Sequence, residues 1–519
     1  MKRILKVLFS RYMLCAVFIL AEVLLLSYLV FYAYTYSLIF VLLSAIVNFS
    51  VLISLINRDT NPEFKLTWLS VVTFIPVLGG ILYLIFYSRK LRRGEAKFLE
   101  DMYSAILENE QSCGEHERSL SRLAELSAIS RPDAGCALAL MRDDALSCLY
   151  HSSGLEYYPS GEELYSAMLA EMESAEKYIF LEYFILSSGV MWRKIEDVLV
   201  RKAEEGVDVR LLYDDFGSIG KLPKRFCRDM RQKGIKCYAF SRITPTLSSS
   251  HNNRDHRKIC IVDGRTAFTG GMNIADEYIN EHIRFGHWKD GGIKVEGEAV
   301  RGFVRLFLAL YDLTQRKMSD YKSLLPPVSE VDVKSDGGFV IPFGSGPAPT
   351  YPEPVGKNLL VNVISSSDSY LYITTPYLII DYDITEALRN AAKRGVDVRI
   401  ITPGIADKRL IKIMTKSAYP YLIKAGVRIF EYTPGFIHEK MLVSDDRCAL
   451  VSTINMDYRS LVHHFEDGVM IYGDRVIPRM RDSFLKTEGA SSEITPRDAH
   501  LGFAERICRD LIRVFAPLL

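Results

Sequence analysis

Residues 256–273 return almost in frame at 438–455, and no other feature of this 519-residue chain restricts its fold as strongly. In both copies Lys follows His by two positions, Asp by seven and Asn by seventeen. Flanking segments repeat in the same order. Ala203–Arg210 matches Ala392–Arg399 through a shared Gly-Val-Asp-Val-Arg, Tyr178–Phe184 matches Tyr370–Tyr377, and Gly234–Tyr238 matches Gly426–Phe430. A chain that repeats several segments in order folds as two copies of one unit.

Within a copy, β-rich runs alternate with longer helical ones. Tyr178–Ile185 reads as a strand, Trp192–Glu205 as an amphipathic helix and Val207–Tyr213 as a further strand, which implies α/β layering. We therefore expect a first α/β lobe over 149–335 and a second over 336–519, with mixed sheets flanked by helices. Residues 94–148, rich in Glu, Lys, Arg, Ala and Leu, read as a helical connector.

Ahead of these lies an apolar stretch. Residues 13–87 carry only Glu22, Arg58, Asp59, Glu63 and Lys65 as charges, and Met13–Tyr32, Ser37–Ile56 and Leu66–Tyr87 are each long enough to cross a bilayer. Residues 1–93 therefore read as a membrane anchor of two to three helices, not a cleaved signal peptide, because apolar segments continue past the first. The basic amino terminus and the cluster Arg89, Lys90, Arg92 and Arg93 both favour the cytoplasm, which an odd number of crossings cannot satisfy. The density of that cluster places the body in the cytoplasm, on a multi-pass protein of the cell membrane. Cys260 and Cys448, in apolar strand-like runs, read as reduced thiols.

His256 and Lys258 alternate with Ile259 and Ile261 along a strand, so both side chains point one way. The turn at Asp263-Gly264-Arg265 brings Gly270, Gly271 and Asn273 back beside them, and the second copy offers His438, Lys440 and Asn455. Two imidazoles, two ammonium groups and two amides around one point suit an anion, above all a phosphoryl centre. Metal binding fits poorly, since Lys is a poor ligand and no Cys or carboxylate cluster stands at ligand spacing near either His. One His can attack phosphorus while the other protonates the leaving oxygen, and the resulting phosphohistidine is resolved by a hydroxyl.

These two His-x-Lys-x(4)-Asp frames resemble the phospholipase D superfamily. Tyr213–Ser218, Asn253–Lys258, Gly270–Tyr278, Thr375–Tyr377, Gly435–Lys440 and Asn455–Ser460, with the apolar amino terminus and Ala516–Leu519, are similar to the bacterial cardiolipin synthases within it. The resemblance covers nearly the whole chain. It implies two phospholipase D-like lobes sharing one site, no metal and no cofactor, and transfer of a phosphatidyl group from one phosphatidylglycerol to another with release of glycerol. It also implies His256 as nucleophile and His438 as acid/base, although the symmetry of the motifs allows the reverse. Lys258, Lys440, Asn273 and Asn455 would hold phosphate oxygens, with Gly271 and Thr453 lining the substrate. Asp263 and Asp445 complete the active-site motif and are expected to pair with basic groups or the following turn. Glu182 and Glu466 resemble the acidic residues that orient the histidines, a structural ion pair being the other reading.

Two positions depart from that pattern: Ser452-Thr453, where Gly-Ser is usual, and His464, where Asn commonly precedes Phe-Glu. His463 and His464 are expected to be packed or solvated. Asp214 reads as a turn or supporting residue, Ser241–Asn253 as a lip over the pocket, and Phe503–Phe515 as a packed helix with a basic face that also suits a membrane surface.

A hydrolase of the same superfamily, a transferase using another alcohol, and a membrane adaptor are the competing functions. Intact motifs oppose the adaptor. With 64 Lys+Arg against 63 Asp+Glu there is no basic stripe, and no nucleic-acid partner is expected; the expected partners are phosphatidylglycerol and the lipid bilayer.

Overall fold

The computed structural model describes residues 11–58, 61–75, 78–87, 93–112, 114–144, 146–243, 252–326, 337–499 and 502–515. They fall into two compact units. One is bounded by Leu91–Phe240 and Arg254–Gly502; the other takes Met1–Lys90, Ser241–Asn253 and Phe503–Leu519.

The larger unit is built on two mixed sheets. In the first lobe the strands run, side by side, Leu155–Tyr158, Gly292–Glu296, Thr266–Gly270, Lys258–Val262, Tyr178–Tyr183, Asp208–Asp214 and Lys236–Phe240. The last three are parallel and the others antiparallel. The second lobe repeats this order with Phe339–Ser345, Glu466–Tyr472, Cys448–Ser452, Met441–Ser444, Tyr370–Thr374, Asp397–Pro403 and Arg428–Tyr432. Two short strands extend its edges: Ser491–Glu493 at one side, and at the other Tyr150–His151, which sequence assigned to the first lobe. Helices such as Val190–Glu204 and Tyr382–Lys393 supply the crossovers between parallel strands, as parallel pairing requires. Tyr178–Tyr183 and Lys258–Val262 are buried along their whole length, so their near-continuous apolar runs have both faces covered.

The helices Arg93–Ser112, Glu115–Ile129 and Arg131–Asp143 do not stand apart as a connector. Leu99, Met102, Ile106, Leu126, Ala137 and Leu140 enter the same core as the sheet residues Phe180, Ile259 and Val340.

Asp263 and Asp445 occupy the turns at the far ends of the motif strands, both with positive φ (54° and 56°). The Asp263 carboxylate accepts the N–H groups of Glu176, Lys177 and Tyr178 at 2.7–2.9 Å; Asp445 accepts those of Asp368, Ser369 and Tyr370 at 2.8–2.9 Å. Each fixes the start of the neighbouring strand, Tyr178–Tyr183 or Tyr370–Thr374, and each also meets the arginine two residues on, Arg265 at 3.3 Å and Arg447 at 3.0 Å, the basic partner expected of it. Five extended residues separate Lys258 from Asp263, roughly 16 Å. Asp263→Ala should therefore lower stability by about 2–3 kcal/mol through lost charge-assisted hydrogen bonds. Thermal unfolding of the detergent-solubilised chain, read beside kcat per folded molecule, checks this: a fallen kcat at unchanged stability would return Asp263 to the reaction.

In the smaller unit, Leu38–Asn57 is the one helix, among the described residues, long and apolar enough to cross a membrane. The third apolar segment is two helices of 13 and 10 residues, Pro62–Phe74 and Leu78–Tyr87. Ile75 between them leaves the helical region (φ −124°, ψ 71°), as a residue preceding proline tends to do. Both short helices pack on the long one through Val51, Leu55, Trp68, Val72 and Tyr83. The first apolar run lies in Arg11–Tyr36, whose side chains are described only in part. Phe503–Phe515 belongs to this unit and not to the second lobe, with Phe503, Ile507 and Leu511 exposed. Most of the expected lip, residues 244–251, lies outside the described residues, as does Ala516–Leu519.

Candidate active site

Both motif histidines open on the seam between the two sheets, and each is held from the opposite lobe. The backbone N–H of His256 donates to the Phe465 carbonyl (2.8 Å), and its Nδ1 meets Oε2 of the next residue, Glu466, at 2.8 Å. The backbone N–H of His438 donates to the Lys289 carbonyl (2.7 Å), and its Nδ1 meets Oδ2 of the next residue, Asp290, at 2.8 Å. A short parallel pairing of Gly435–Ile437 with His287–Lys289 leads into the second of these contacts. A carboxylate on Nδ1 leaves Nε2 for chemistry, the arrangement by which an imidazole's tautomer and direction are fixed.

The lysines complete the centre. Lys258 and Lys440 are 1% and 3% exposed, and each ammonium donates to the carbonyl of its own motif histidine. Lys440 Nζ also lies 3.0 Å from His438 Nε2. Burial lowers the pKa of Lys258 to about 8 and of Lys440 to about 7. Burial pushes His256 well below the usual imidazole value, helped by the charges of Lys258, Lys440 and His438, which brings members of both motifs into one electrostatic site. His438 falls to about 4 through burial and Lys440, against the upward pull of Asp290.

The two carboxylates differ. Burial raises Glu466 to about 7. Asp290 is pushed up by burial too, but His438 and Lys440 outweigh this and hold it below the ordinary carboxylate value. Asp290 is therefore the better ionised partner.

Gly271 and Thr453 both lie against these carboxylates. A Cβ at Gly271 would stand 2.0 Å from Asp290 Oδ1 and 2.7 Å from the His438 carbonyl, so glycine there admits the close approach. At the matching position, the Thr453 hydroxyl donates to Glu466 Oε2 and its N–H donates to the Asp467 carbonyl. Asn273 is also committed: Oδ1 accepts the Ile185 N–H (2.9 Å) and Nδ2 donates to the Tyr278 hydroxyl (2.8 Å). Asn455 is buried with Oδ1 lacking a partner.

Glu182 does not reach either histidine. It is buried facing Arg257 at 3.9 Å with Asp255 beside it, and burial holds its pKa far above the usual range. The residue that sequence reasoning missed is Asp290. Its signal was positional: it stands two residues before the strand Gly292–Glu296, as Glu466 opens the corresponding strand Glu466–Tyr472 of the second lobe. Asp214 accepts the N–H groups of Phe216, Gly217 and Asp255 at 2.8–3.0 Å, so it closes its own turn and fixes the backbone entering His256.

Folding also assembles a ligand set that sequence spacing did not reveal, because His256 lies 210 positions from Glu466. Ligand atoms of His256, His464 and Glu466 lie within 4.8 Å of one another.

Sequence and structure comparisons agree with this geometry. A family model described as cardiolipin synthase, phospholipase D-like domain, matches residues 168–283 and 360–487, one segment in each lobe. The phospholipase D-nuclease N-terminal model matches residues 46–86. A cardiolipin synthase of Alkalihalophilus pseudofirmus is 34% identical over 499 residues, covering 93% of this chain and 94% of its own. An uncharacterized protein of Streptococcus mutans is 37% identical over 473 residues, covering 90% of this chain and 98% of its own. Among solved structures, phosphatidylserine synthase from Haemophilus influenzae shares the fold with a TM-score of 0.55 at 15% identity, over 72% of this chain and 94% of its own. Two sheets meeting at a pair of His-Lys motifs thus define a phospholipase D-like enzyme. Within that class, the chain belongs to the cardiolipin synthase family and is a phosphatidyltransferase.

Proposed function

We propose that this protein makes cardiolipin from two molecules of phosphatidylglycerol. The observation that carries the reading is the crossed pairing of His256 with Glu466 and of His438 with Asp290, which aims two imidazoles from two lobes at one lysine-lined centre. His256 Nε2 attacks the phosphorus of the first lipid, its bond to the glycerol oxygen breaks, and His438 gives that oxygen its proton. Glycerol leaves. His438 then takes the proton of a terminal hydroxyl on the second lipid, whose oxygen displaces His256 from phosphorus. The Lys258 and Lys440 ammonium groups hold the non-bridging oxygens as charge accumulates there.

The unequal carboxylates support this division of roles. A nucleophile must be neutral, and burial and the neighbouring cations hold His256 well below the usual imidazole value, beside a carboxyl near its own titration point. The acid must carry a positive charge before it gives its proton; the ionised Asp290 pulls His438 upward against burial and Lys440, and the charge of the bound lipid phosphate adds to that pull. Asn455, with an unengaged Oδ1, is the amide available to a substrate hydroxyl. Near-complete burial of the motif side chains favours a lipid hydroxyl over water as acceptor. Leu38–Asn57 would cross the membrane with the broken helix pair packed on it, and the basic cluster Arg89–Arg93 would hold the body on the cytoplasmic side.

The deciding experiment places the purified chain in phosphatidylglycerol vesicles without added metal or nucleotide and follows lipids and glycerol together. Cardiolipin with one glycerol per molecule is the expected product. Phosphatidic acid with glycerol would mean that water reaches the adduct and would replace this reading with hydrolysis.

A pH dependence follows from Lys440. With its pKa near 7 in the free enzyme, the ammonium is charged below that pH and neutral above it. Phosphate binding should weaken as pH rises, so kcat/KM should fall by up to roughly tenfold per pH unit above 7. Lys440→Arg, which stays charged, should show a flatter alkaline limb. An alkaline limb equally steep in both proteins would assign it to another group.

A further inference from the structure

His464 has no part in the transfer described above, yet it is buried against the site with neither ring nitrogen hydrogen-bonded. Its ring centroid lies 5.4 Å from that of His256, and its Nδ1 lies 3.7 Å from Glu466 Oε1. His256 Nδ1 contacts the other oxygen of the same carboxylate at 2.8 Å. Two imidazoles and one carboxylate are a ligand set suited to a borderline divalent ion, with a fourth position left open.

We propose that His256, His464 and Glu466 bind a transition-metal ion of the zinc class, and that its binding silences the enzyme. Ligands around tetrahedral zinc stand roughly 3.4 Å apart, given bonds of about 2.0–2.1 Å. The 4.8 Å spread must therefore contract by about 1.4 Å, and rotation of His464 breaks no hydrogen bond in doing so. Lys258 and Lys440 oppose cations held by charge alone, which selects an ion bound through nitrogen over magnesium or calcium.

Silencing follows from the tautomer. Neutral His256 keeps its proton on Nδ1, facing Glu466, and its lone pair on Nε2. A metal on Nδ1 takes the lone pair there, so the single proton must sit on Nε2. That nitrogen then has no electron pair with which to attack phosphorus. No proton is gained or lost by the ring, and no oxidant or reductant is involved.

The silencing, though not the metal site, rests on His256 being the nucleophile. The test uses the chelator-treated full chain in detergent, with Co²⁺ as the spectroscopic probe and Zn²⁺ as the inhibitor. The expected result is a set of visible ligand-field bands, lost on adding Zn²⁺, and inhibition by Zn²⁺ that a chelator reverses. His464→Asn should turn over lipid as the parent does, lose the bands and need at least tenfold more Zn²⁺ for half-inhibition. Absent bands in the parent, or bands and inhibition unchanged in His464→Asn, would overturn the proposal. If His256→Ala lost the bands but still transferred lipid, the metal site would stand and the assignment of His256 as nucleophile would fall.

Discussion

His256→Ala should abolish cardiolipin formation, by roughly 10⁴-fold or more, because the covalent step loses the one imidazole that a carboxylate aims at phosphorus from this motif. His438→Ala should fall by a similar factor but for a different reason: both the leaving glycerol and the incoming hydroxyl need its proton transfer. The two variants separate in an acyl-labelled phosphatidylglycerol experiment. Label trapped by rapid quenching of the parent should map to His256, and His438→Ala should build up the adduct slowly without passing it on. Label on His438 would exchange the two roles. Cardiolipin made at the parental rate by either variant would remove the phosphohistidine pathway altogether.

Asp290→Asn should be nearly as damaging, lowering kcat by roughly 10³–10⁴ while KM changes little, since an amide can no longer accept the His438 Nδ1–H and stabilise the imidazolium. Glu466→Gln should cost less. Glu466 titrates near 7, so the parent already carries part of its population as the neutral acid, whereas Asp290 is ionised throughout. Steady-state kcat and KM of both variants in vesicles provide the comparison. A kcat for Asp290→Asn within tenfold of the parent would leave His438 without a needed partner.

Asp290 also shows where reading the residues stops. The His, Lys, Asp and Asn of each motif keep a fixed spacing because they lie on one hairpin, and a hairpin's geometry is local. The orienting carboxylates lie beyond that frame: Asp290 follows Asn273 by 17 positions, while Glu466 follows Asn455 by 11. Only the meeting of two sheets makes them equivalent. Glu182 was the tempting alternative, an acid within an apolar strand, but strand pairing turns it to Arg257. Asn273 and Asn455 look alike in sequence, and the Tyr278 hydroxyl and the Ile185 N–H engage only the first. The α/β layering of Tyr178–Tyr183 and Asp208–Asp214, by contrast, was visible from the helix between them. The apolar third segment read as one span because length and hydropathy do not register the break at Ile75.

Each lobe keeps the other's histidine in working order. Two once-equivalent subunits could have remained a dimer that exchanged partners freely; joined in one chain, they now share a single fate. A lobe parted from the other would lose the acid that aims its histidine, and with it the reaction. Inheritance is tied in the same way. A change at Asp290 is felt by His438 and one at Glu466 by His256, so neither half of the gene can drift toward a new chemistry without the consent of the other.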